Sequence, residues 1–481
     1  MAENREPLLN SLYREHCPGC KLDRWKDANS GMPYQYFIHL WLITLCATLP
    51  ISSLFPFLYF MIRDMHVAKS VEDIGFYAGF VGSSFMLGRA LTSIFWGIVA
   101  DRYGRKPVIV IGLLTLAMFN VLFGLSTSFW MAITARFLFG CFHSLLGPIR
   151  ACAVEVARPE YHAIGLSLVS TAWGMGLVLG SSLGGFLAQP AEKFPHIFSG
   201  ESFFGRFPYF LPCLCISLLA TAILPTCYWL PESLHMHHES KSETLTTESV
   251  EASLHGSEMK IIEEGFERSD ARQQNIFTNW PLMSSIIVYC VFSLYDMAYT
   301  EVFPLWAESG RKYGGLGFSS QDVGMVLSIS GSSLLLFQLV VYRPMEKLVG
   351  HINLCRAAAV LAIPLTASFP FMTELSGIKL TVIVNCASML KNVLSTAIST
   401  GLFILQNNAV TQYQRGAANG ISMTGQSIFK GIAPATAGVI FSWAQKRQNS
   451  SFLPGNHMVF FLLNLVDLVG LLMTFKPFLA Y

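Results

Sequence analysis

Seven ionisable residues stand inside otherwise apolar stretches: Arg89, Arg136, Asp296, Glu301, Lys391, Lys430 and Asp467. A charge at the centre of a bilayer costs about 2.5–3.5 kcal/mol on insertion scales, so such residues face a cavity or a partner rather than lipid. Asp296 and Glu301 are the obvious proton carriers. They lie five residues apart and so do not share a helix face perfectly. Arg136 cannot lose its proton, but a guanidinium can tune a neighbouring carboxylate. Desolvation favours the protonated carboxyl and a nearby cation favours the ionised one. Switching a cation contact therefore loads and unloads a proton. Arg136, Asp296, Glu301, Lys391 and Lys430 form the candidate substrate and proton-coupling set. For Arg89 and Asp467, pairing with another charge or snorkelling to an interface reads as well as a role in the cavity. His143, seven residues after Arg136 on the same helix face, reads either as a second proton carrier or as a hydrogen-bonded packing residue.

The elements that must position these groups are membrane helices. Of the 481 residues, 52% are hydrophobic and 13% charged, with a mean hydropathy of +0.47. A soluble domain carries about 25% charged residues. This chain cannot cover a water-facing surface in the usual way and reads as a polytopic membrane protein. A net charge of +2 gives no sign of nucleic acid as a partner. Cysteines such as Cys46, Cys141, Cys152, Cys213, Cys215 and Cys386 fall in apolar runs and read as small buried hydrophobes. Residues 1–33 are polar, with no cleavable signal, so the first membrane helix serves as the insertion signal.

Apolar runs place helices near 37–62, 75–100, 107–126, 129–152, 163–187 and 207–229, then near 281–304, 321–342, 353–373, 379–403, 415–442 and 456–475. Twelve spans put both termini on one side. The basic loop residues Arg102, Arg105, Lys106, Arg150, Arg158, Arg343, Lys347, Arg356 and Arg415 make that side cytoplasmic, against an imperfect set of cations opposite (Lys69, Arg311, Lys312, Lys446, Arg447). Residues 232–278 are rich in Ser, Thr, Glu, Lys and His and cannot bury a core. The expected organisation is a cytoplasmic tail (1–36), a six-helix bundle (37–229), a flexible cytoplasmic linker (230–280), a second six-helix bundle (281–476) and a short tail (477–481). A faint repeat supports the two halves: Gly165 and Gly176 are spaced like Gly420 and Gly431. Two related bundles suggest alternating access around a site at mid-membrane.

Between the second and third runs lies Gly97-Ile98-Val99-Ala100-Asp101-Arg102-Tyr103-Gly104-Arg105-Lys106. Gly97 is expected to let two helices approach closely, and Gly104 to allow a tight turn. Arg102, Arg105 and Lys106 hold the loop on the cytoplasmic side. The pattern G-x-x-x-D-R-x-G-R-K resembles the signature loop of the major facilitator superfamily, and Arg343 to Gly350 is its degenerate partner in the second half. Arg136 fits that superfamily's R-F-x-x-G pattern in helix 4. The resemblance implies a transporter fold, a part for Arg136 in proton coupling or anion binding, and a gate in which Asp101 docks on the start of helix 11 near Arg415 and Gly416. Helix 5, with Ser170, Gly176, Gly180, Gly184 and Gly185, resembles the superfamily's antiporter motif, but Ser181 stands in the region of the expected proline.

The resemblance narrows with Cys17-Pro18-Gly19-Cys20, with Trp96 to Lys106, and with the histidines His235, His237 and His238 after Pro231-Glu232-Ser233-Leu234. Together with Asn279-Trp280-Pro281-Leu282-Met283 and Arg415-Gly416-Ala417-Ala418-Asn419-Gly420, these are similar to the plant zinc-induced facilitator-like family. The resemblance implies a proton-coupled antiporter for a small organic chelator such as nicotianamine or a phytosiderophore, contributing to zinc and iron homeostasis. Potassium or auxin-related organic anions are the alternative cargo. A metal sensor with transient zinc at Cys17, Cys20, His235, His237 and His238 is the reading from another class, although a cluster of this kind taken alone is more often solvated and idle. The family and the dileucine-like Leu8-Leu9 favour the vacuolar membrane, with the plasma membrane second. No nucleophile–base constellation or phosphate-binding loop is visible, so neither enzyme activity nor a cofactor is expected.

Overall fold

The computed structural model describes residues 17–29, 31–143, 145–234, 276–410, 415–448 and 453–479; the side chains of Asp101, Arg343 and Arg415 lie outside the described set. A short helix α1 (Pro18–Ala28) precedes the first half. That half holds α2 (Tyr34–Ser52), α3 (Phe55–Asp64), α4 (Ile74–Tyr103), α5 (Arg105–Gly124), α6 (Phe129–Phe142), α7 (Leu146–Glu155), α8 (His162–Leu187) and α9 (Phe210–Ile223). The second half holds α10 (Trp280–Glu308), α11 (Ser320–Leu336), α12 (Tyr342–Val349), α13 (His351–Ser368), α14 (Gly377–Asn408), α15 (Arg415–Gln445) and α16 (Asn456–Met473). Among the described residues, eight helical stretches are long and apolar enough to cross a membrane, and α4, α8, α11–α12 and α15 complete twelve rods.

Two rods expected to be continuous are broken, and proline is the reason in both. The first breaks at Ser53–Leu54 just before Pro56, and the fourth after Phe142 with Pro148 in the first turn of α7. Proline lacks an N–H and its ring clashes with the preceding turn, so it favours a helix start; Pro50, Pro304, Pro364 and Pro434 nonetheless stand inside helices, as membrane helices allow. The eighth rod is longer than expected. It passes through a π-helical turn over Phe337–Val341 and continues to Val349. Gly350 then turns the chain at φ +80°, as Gly104 does at φ +111° between α4 and α5. The two halves thus share the same one-glycine turn at matching places.

The chain ends α1 and Phe478 lie at one end of the molecule, here the proximal end. The halves meet at the other, distal, end along α4–α15 and α8–α11. A Cβ at Gly79 would collide with Pro434 O, one at Gly75 would sit 2.6 Å from Phe441 Cδ1, and one at Gly185 would sit 2.7 Å from Gly324 Cα. Glycines let these backbones touch. Hydrogen bonds add to the seam: Ala435 N–H donates to Ser83 Oγ at 2.7 Å, and the Ser182 and Ser328 hydroxyls are 2.6 Å apart. One apolar core, including Phe57, Ile62, Val81, Phe303, Trp306 and Phe441, runs across both halves there. Toward the proximal end the cores separate, one confined to α1–α9 and others to the second half. The molecule is closed distally and open proximally.

Candidate functional site

The long helix α10 carries both candidate carboxylates, and they have different surroundings. Asp296 accepts from Lys391 Nζ of α14 at 2.7 Å, and the carboxylate remains 40% exposed while the lysine is 1% exposed. Lys391 also sits 3.9 Å from the ring centroid of Tyr299, a cation–π contact within α10–α14. Asp467 of α16 is in electrostatic reach of Lys391, and both its oxygens are buried without a described partner.

Glu301 lies where the halves meet. It is 1% exposed, and neither carboxyl oxygen has a described hydrogen-bond partner. A Cβ at Gly82 of α4 would be 3.0 Å from Glu301 Oε2 and 3.2 Å from Pro434 Cβ. Arg136 of α6 is in electrostatic reach of Glu301. Its guanidinium donates to Pro50 O at 3.2 Å and stacks over Phe123 and Phe85. Pro50 lies in the last turn of α2, where carbonyls lack an intrahelical donor, and its oxygen is left for Arg136. His143, the residue that caps α6, packs against the rings of Phe85 and Phe139.

Lys430 of α15 is half-buried and in electrostatic reach of Asp296, Arg89 and Arg150. Arg89 lines a narrow cleft, with room for about one water, beside Thr44, Ala47, His143 and Trp173. The structure therefore gathers Asp296, Lys391 and Lys430 into one neighbourhood and Arg136 with Glu301 into another.

The helix-5 glycines do something different. Added Cβ atoms at Gly176, Gly180 and Gly184 would strike Thr48, Ser52 and Ser53 of the first rod, and Gly185 faces Gly324. They form a packing groove rather than a cavity wall, and Ser170 is exposed.

The signature loop corrects one expectation. A Cβ at Gly97 would meet no described atom within 4 Å, so Gly97 brings no helices together here; the halves are parted at this end, and Gly420 is equally open. The backbone N–H groups of Arg105 and Lys106 both donate to Glu232, each at 3.0 Å. Arg105 pairs with Glu155 at 3.2 Å, and Lys106 Nζ donates to Tyr228 O at 2.8 Å. Arg102 is exposed over the Tyr103 ring. These described partners of the loop all belong to the first half or its exit. Glu232 is an anion on a helix N-terminus, which favours it by dipole and by free N–H groups. Sequence reasoning passed over it because an acid just after the sixth span reads as solvated; its place in P-E-S-L was the available signal. Glu308, buried at the distal end of α10 with neither oxygen partnered among the described residues, was missed too.

Cys17 and Cys20 are buried at the start of α1. The Gly19 N–H donates to Leu234 O at 3.1 Å, which docks α1 on the exit of the first half. His235, His237 and His238 lie outside the described residues, as do Leu8 and Leu9. Among the described residues no group of three or more His, Cys, Asp or Glu could hold a metal ion.

The sequence profile of the Major Facilitator Superfamily matches residues 40–434. Arabidopsis thaliana ZINC INDUCED FACILITATOR 1 is 55% identical over 480 residues, covering 99% of both chains, and ZINC INDUCED FACILITATOR-LIKE 1 of the same plant is 55% identical over 482 residues, covering 99% of this chain and 98% of its own. The chain belongs to the zinc-induced facilitator-like family of the major facilitator superfamily. A third Arabidopsis thaliana relative, 58% identical over all of this chain and 99% of its own, bears the name "Probable peptide/nitrate transporter". Among solved structures, a D-xylose-proton symporter superposes with a TM-score of 0.66 at 15% identity, covering 92% of this chain and 97% of its own. The human organic anion transporter MFSD10 superposes with a TM-score of 0.61 at 15% identity, covering 92% of this chain and all of its own. These two show the fold. As a zinc-induced facilitator-like protein, the chain is a multi-pass membrane transporter acting on small molecules, in a family of transporters rather than enzymes.

Proposed function

We propose that this protein is a proton-coupled antiporter that moves a small organic metal chelator, such as nicotianamine or a phytosiderophore, and so contributes to zinc and iron homeostasis. The observation that carries the reading is the division of labour along α10. Asp296 is exposed to the cleft and bound to Lys391, a pair that a substrate with amines and carboxylates can compete for. Glu301 is sealed between the halves without a hydrogen-bond partner among the described residues. An ionised carboxylate there costs several kcal/mol, a cost that a bound proton removes. Rocking the halves apart distally exposes Glu301 and lets the proton leave. In this reading residues 37–229 and 281–476 are the moving bundles, 230–280 links them, and the proximal end faces the cytoplasm of a vacuolar or, second, a plasma membrane.

The test is flux in sealed proteoliposomes with an imposed pH gradient. Gradient-driven uptake of labelled nicotianamine, lost in the Asp296→Asn/Glu301→Gln double variant, supports the reading. Equal uptake by the variant, or uptake of potassium or zinc alone in place of nicotianamine, overturns it. One observation favours a second reading, a membrane metal sensor: the Gly19–Leu234 bond holds the Cys17/Cys20 helix beside the stretch that leads to His235. Removing Cys17, Cys20, His235, His237 and His238 together abolishes a sensor's response and leaves a transporter's basal flux.

A further inference from the structure

We infer that Arg89, Arg150 and Lys430 form a polycarboxylate-binding site spanning the two halves on the open side of the cleft, so that the species carried is a multivalent anion. This rests on the transport reading above and names the class of its substrate.

Three helices contribute the cations: α4 and α7 from the first half, α15 from the second. All three residues are half-buried rather than sealed. Their mutual proximity follows from the packing. Arg150 Nη1 lies 3.3 Å from Met423 Sδ of α15, and a Cβ at Gly431, next to Lys430, would come within 3.8 Å of Met86, three residues from Arg89. The three cations are in electrostatic reach of one another.

Among the described residues, neither Arg89 nor Lys430 has a hydrogen-bond or ion-pair acceptor, and the acceptor described for Arg150 is a thioether, a weak one. The carboxylate in reach is Asp296, already engaged by Lys391. Arg89, Arg150 and Lys430 therefore stand without a carboxylate hydrogen-bonded or ion-paired to them among the described residues, beside a Lys391–Asp296 pair that is already made. Proteins keep ionisable groups at membrane depth where they pair or line a pathway, and here the protein does not supply the counter-charge. A substrate with two or more carboxylates does. A guanidinium binds a carboxylate through paired N–H donors, and an ammonium binds it as a point charge. A carboxylate on Arg89 or Arg150 and another on Lys430 would tie the two halves together at the end that is open in this structure. A bare potassium or zinc ion meets repulsion instead.

The experiment uses the full-length protein in detergent at constant ionic strength. Thermal stability is measured with acetate, succinate and tricarballylate, which carry one, two and three carboxylates, and with nicotianamine. The Tm shift is expected to rise from acetate to tricarballylate and to fall at least severalfold in Arg89→Gln and in Lys430→Gln. Arg89→Lys keeps part of it, and the exposed surface control Lys379→Gln keeps all of it. Equal shifts for the three acids, or undiminished shifts in both glutamine variants, overturn the site. Should Arg89→Gln not fold, Lys430→Gln and Arg89→Lys carry the test. Flux separates this inference from the reading beneath it. If the acids bind as expected but no proton gradient moves nicotianamine, the chelator reading fails and the anion site stands. If nicotianamine flux is proton-driven and both glutamine variants retain the wild-type KM, the site fails and the chelator reading stands.

Discussion

The two ends of the same helix pair behave oppositely. Toward the distal end of α4, Gly75, Gly79 and Gly82 press against Phe441, Pro434 and Glu301; toward the proximal end Gly97 faces open space, as Gly420 does on α15. Distally a single apolar core runs through both halves, and proximally each half keeps its own. The same residue type thus serves as a contact at one end and as cleared ground at the other. Under the proposed alternation of the two halves, the cleared glycines are expected to become the contacts of the opposite state. The difference also explains the signature loop. Its described partners, Glu155 and Glu232, belong to the first half and its exit.

The comparison can be broken at either end. Gly79→Leu places a branched side chain where even a Cβ collides with Pro434 O. Overpacking of this kind forces the backbones apart. Flux is expected to fall by about a hundredfold, with increased thiol-reagent labelling of a Ser70→Cys reporter at the distal end. Gly97→Leu is the contrasting case. It meets open space in this state, so substrate binding and thermal stability stay at wild-type levels. Turnover falls by about tenfold because the proximal end can no longer close. Wild-type turnover in that variant would mean that Gly97 is not buried in the opposite state.

Glu232→Gln sharpens the account of the loop. It replaces a carboxylate that accepts from two N–H groups at the start of α5. Loss of such a charged cap is expected to cost about 1–2 kcal/mol, read as a lower Tm. The smallest effect belongs to Asp73 at the distal end, paired with Lys446 at 2.5 Å. The hydrogen bond from Lys446 lowers the Asp73 pKa, with Ser70 and Ser442 adding to it against partial burial. A depressed carboxyl contributes stability that is fully present above its ordinary value and is lost only as pH falls through the lowered one. The latch is therefore unchanged between about pH 5 and 8. Because Lys446 is 54% exposed, Asp73→Asn should weaken distal closure by at most about fivefold. A distal accessibility titration checks both points.

Much of the fold was legible because bilayer length and apolar composition admit few alternatives. The breaks near Pro56 and Pro148 were legible in principle, since each proline marks a helix start. The charged residues of the site were visible as charges in apolar runs. Their pairing was not, because Asp296 and Lys391 are 95 positions apart and nothing local links them. Glu301's isolation was equally hidden, since it depends on Gly82 and Pro434 arriving from two other helices. Gly97 was misread for a related reason: a helical glycine permits an approach, but only the state of the whole protein decides whether one occurs. Arg150 was read as a topogenic loop residue, although α7 carries it into the cleft. Glu155 and Glu232 escaped notice because acids beside a membrane edge are usually solvated.

The central claim is that Glu301 carries the coupled proton. The direct test is a pair of assays on Glu301→Gln in proteoliposomes: exchange of labelled for unlabelled nicotianamine without a gradient, and accumulation driven by a pH gradient. A glutamine holds the shape of the protonated side chain and cannot release a proton. The account predicts that exchange persists while gradient-driven accumulation is lost. Accumulation at the wild-type level would contradict it and move the coupling site away from Glu301.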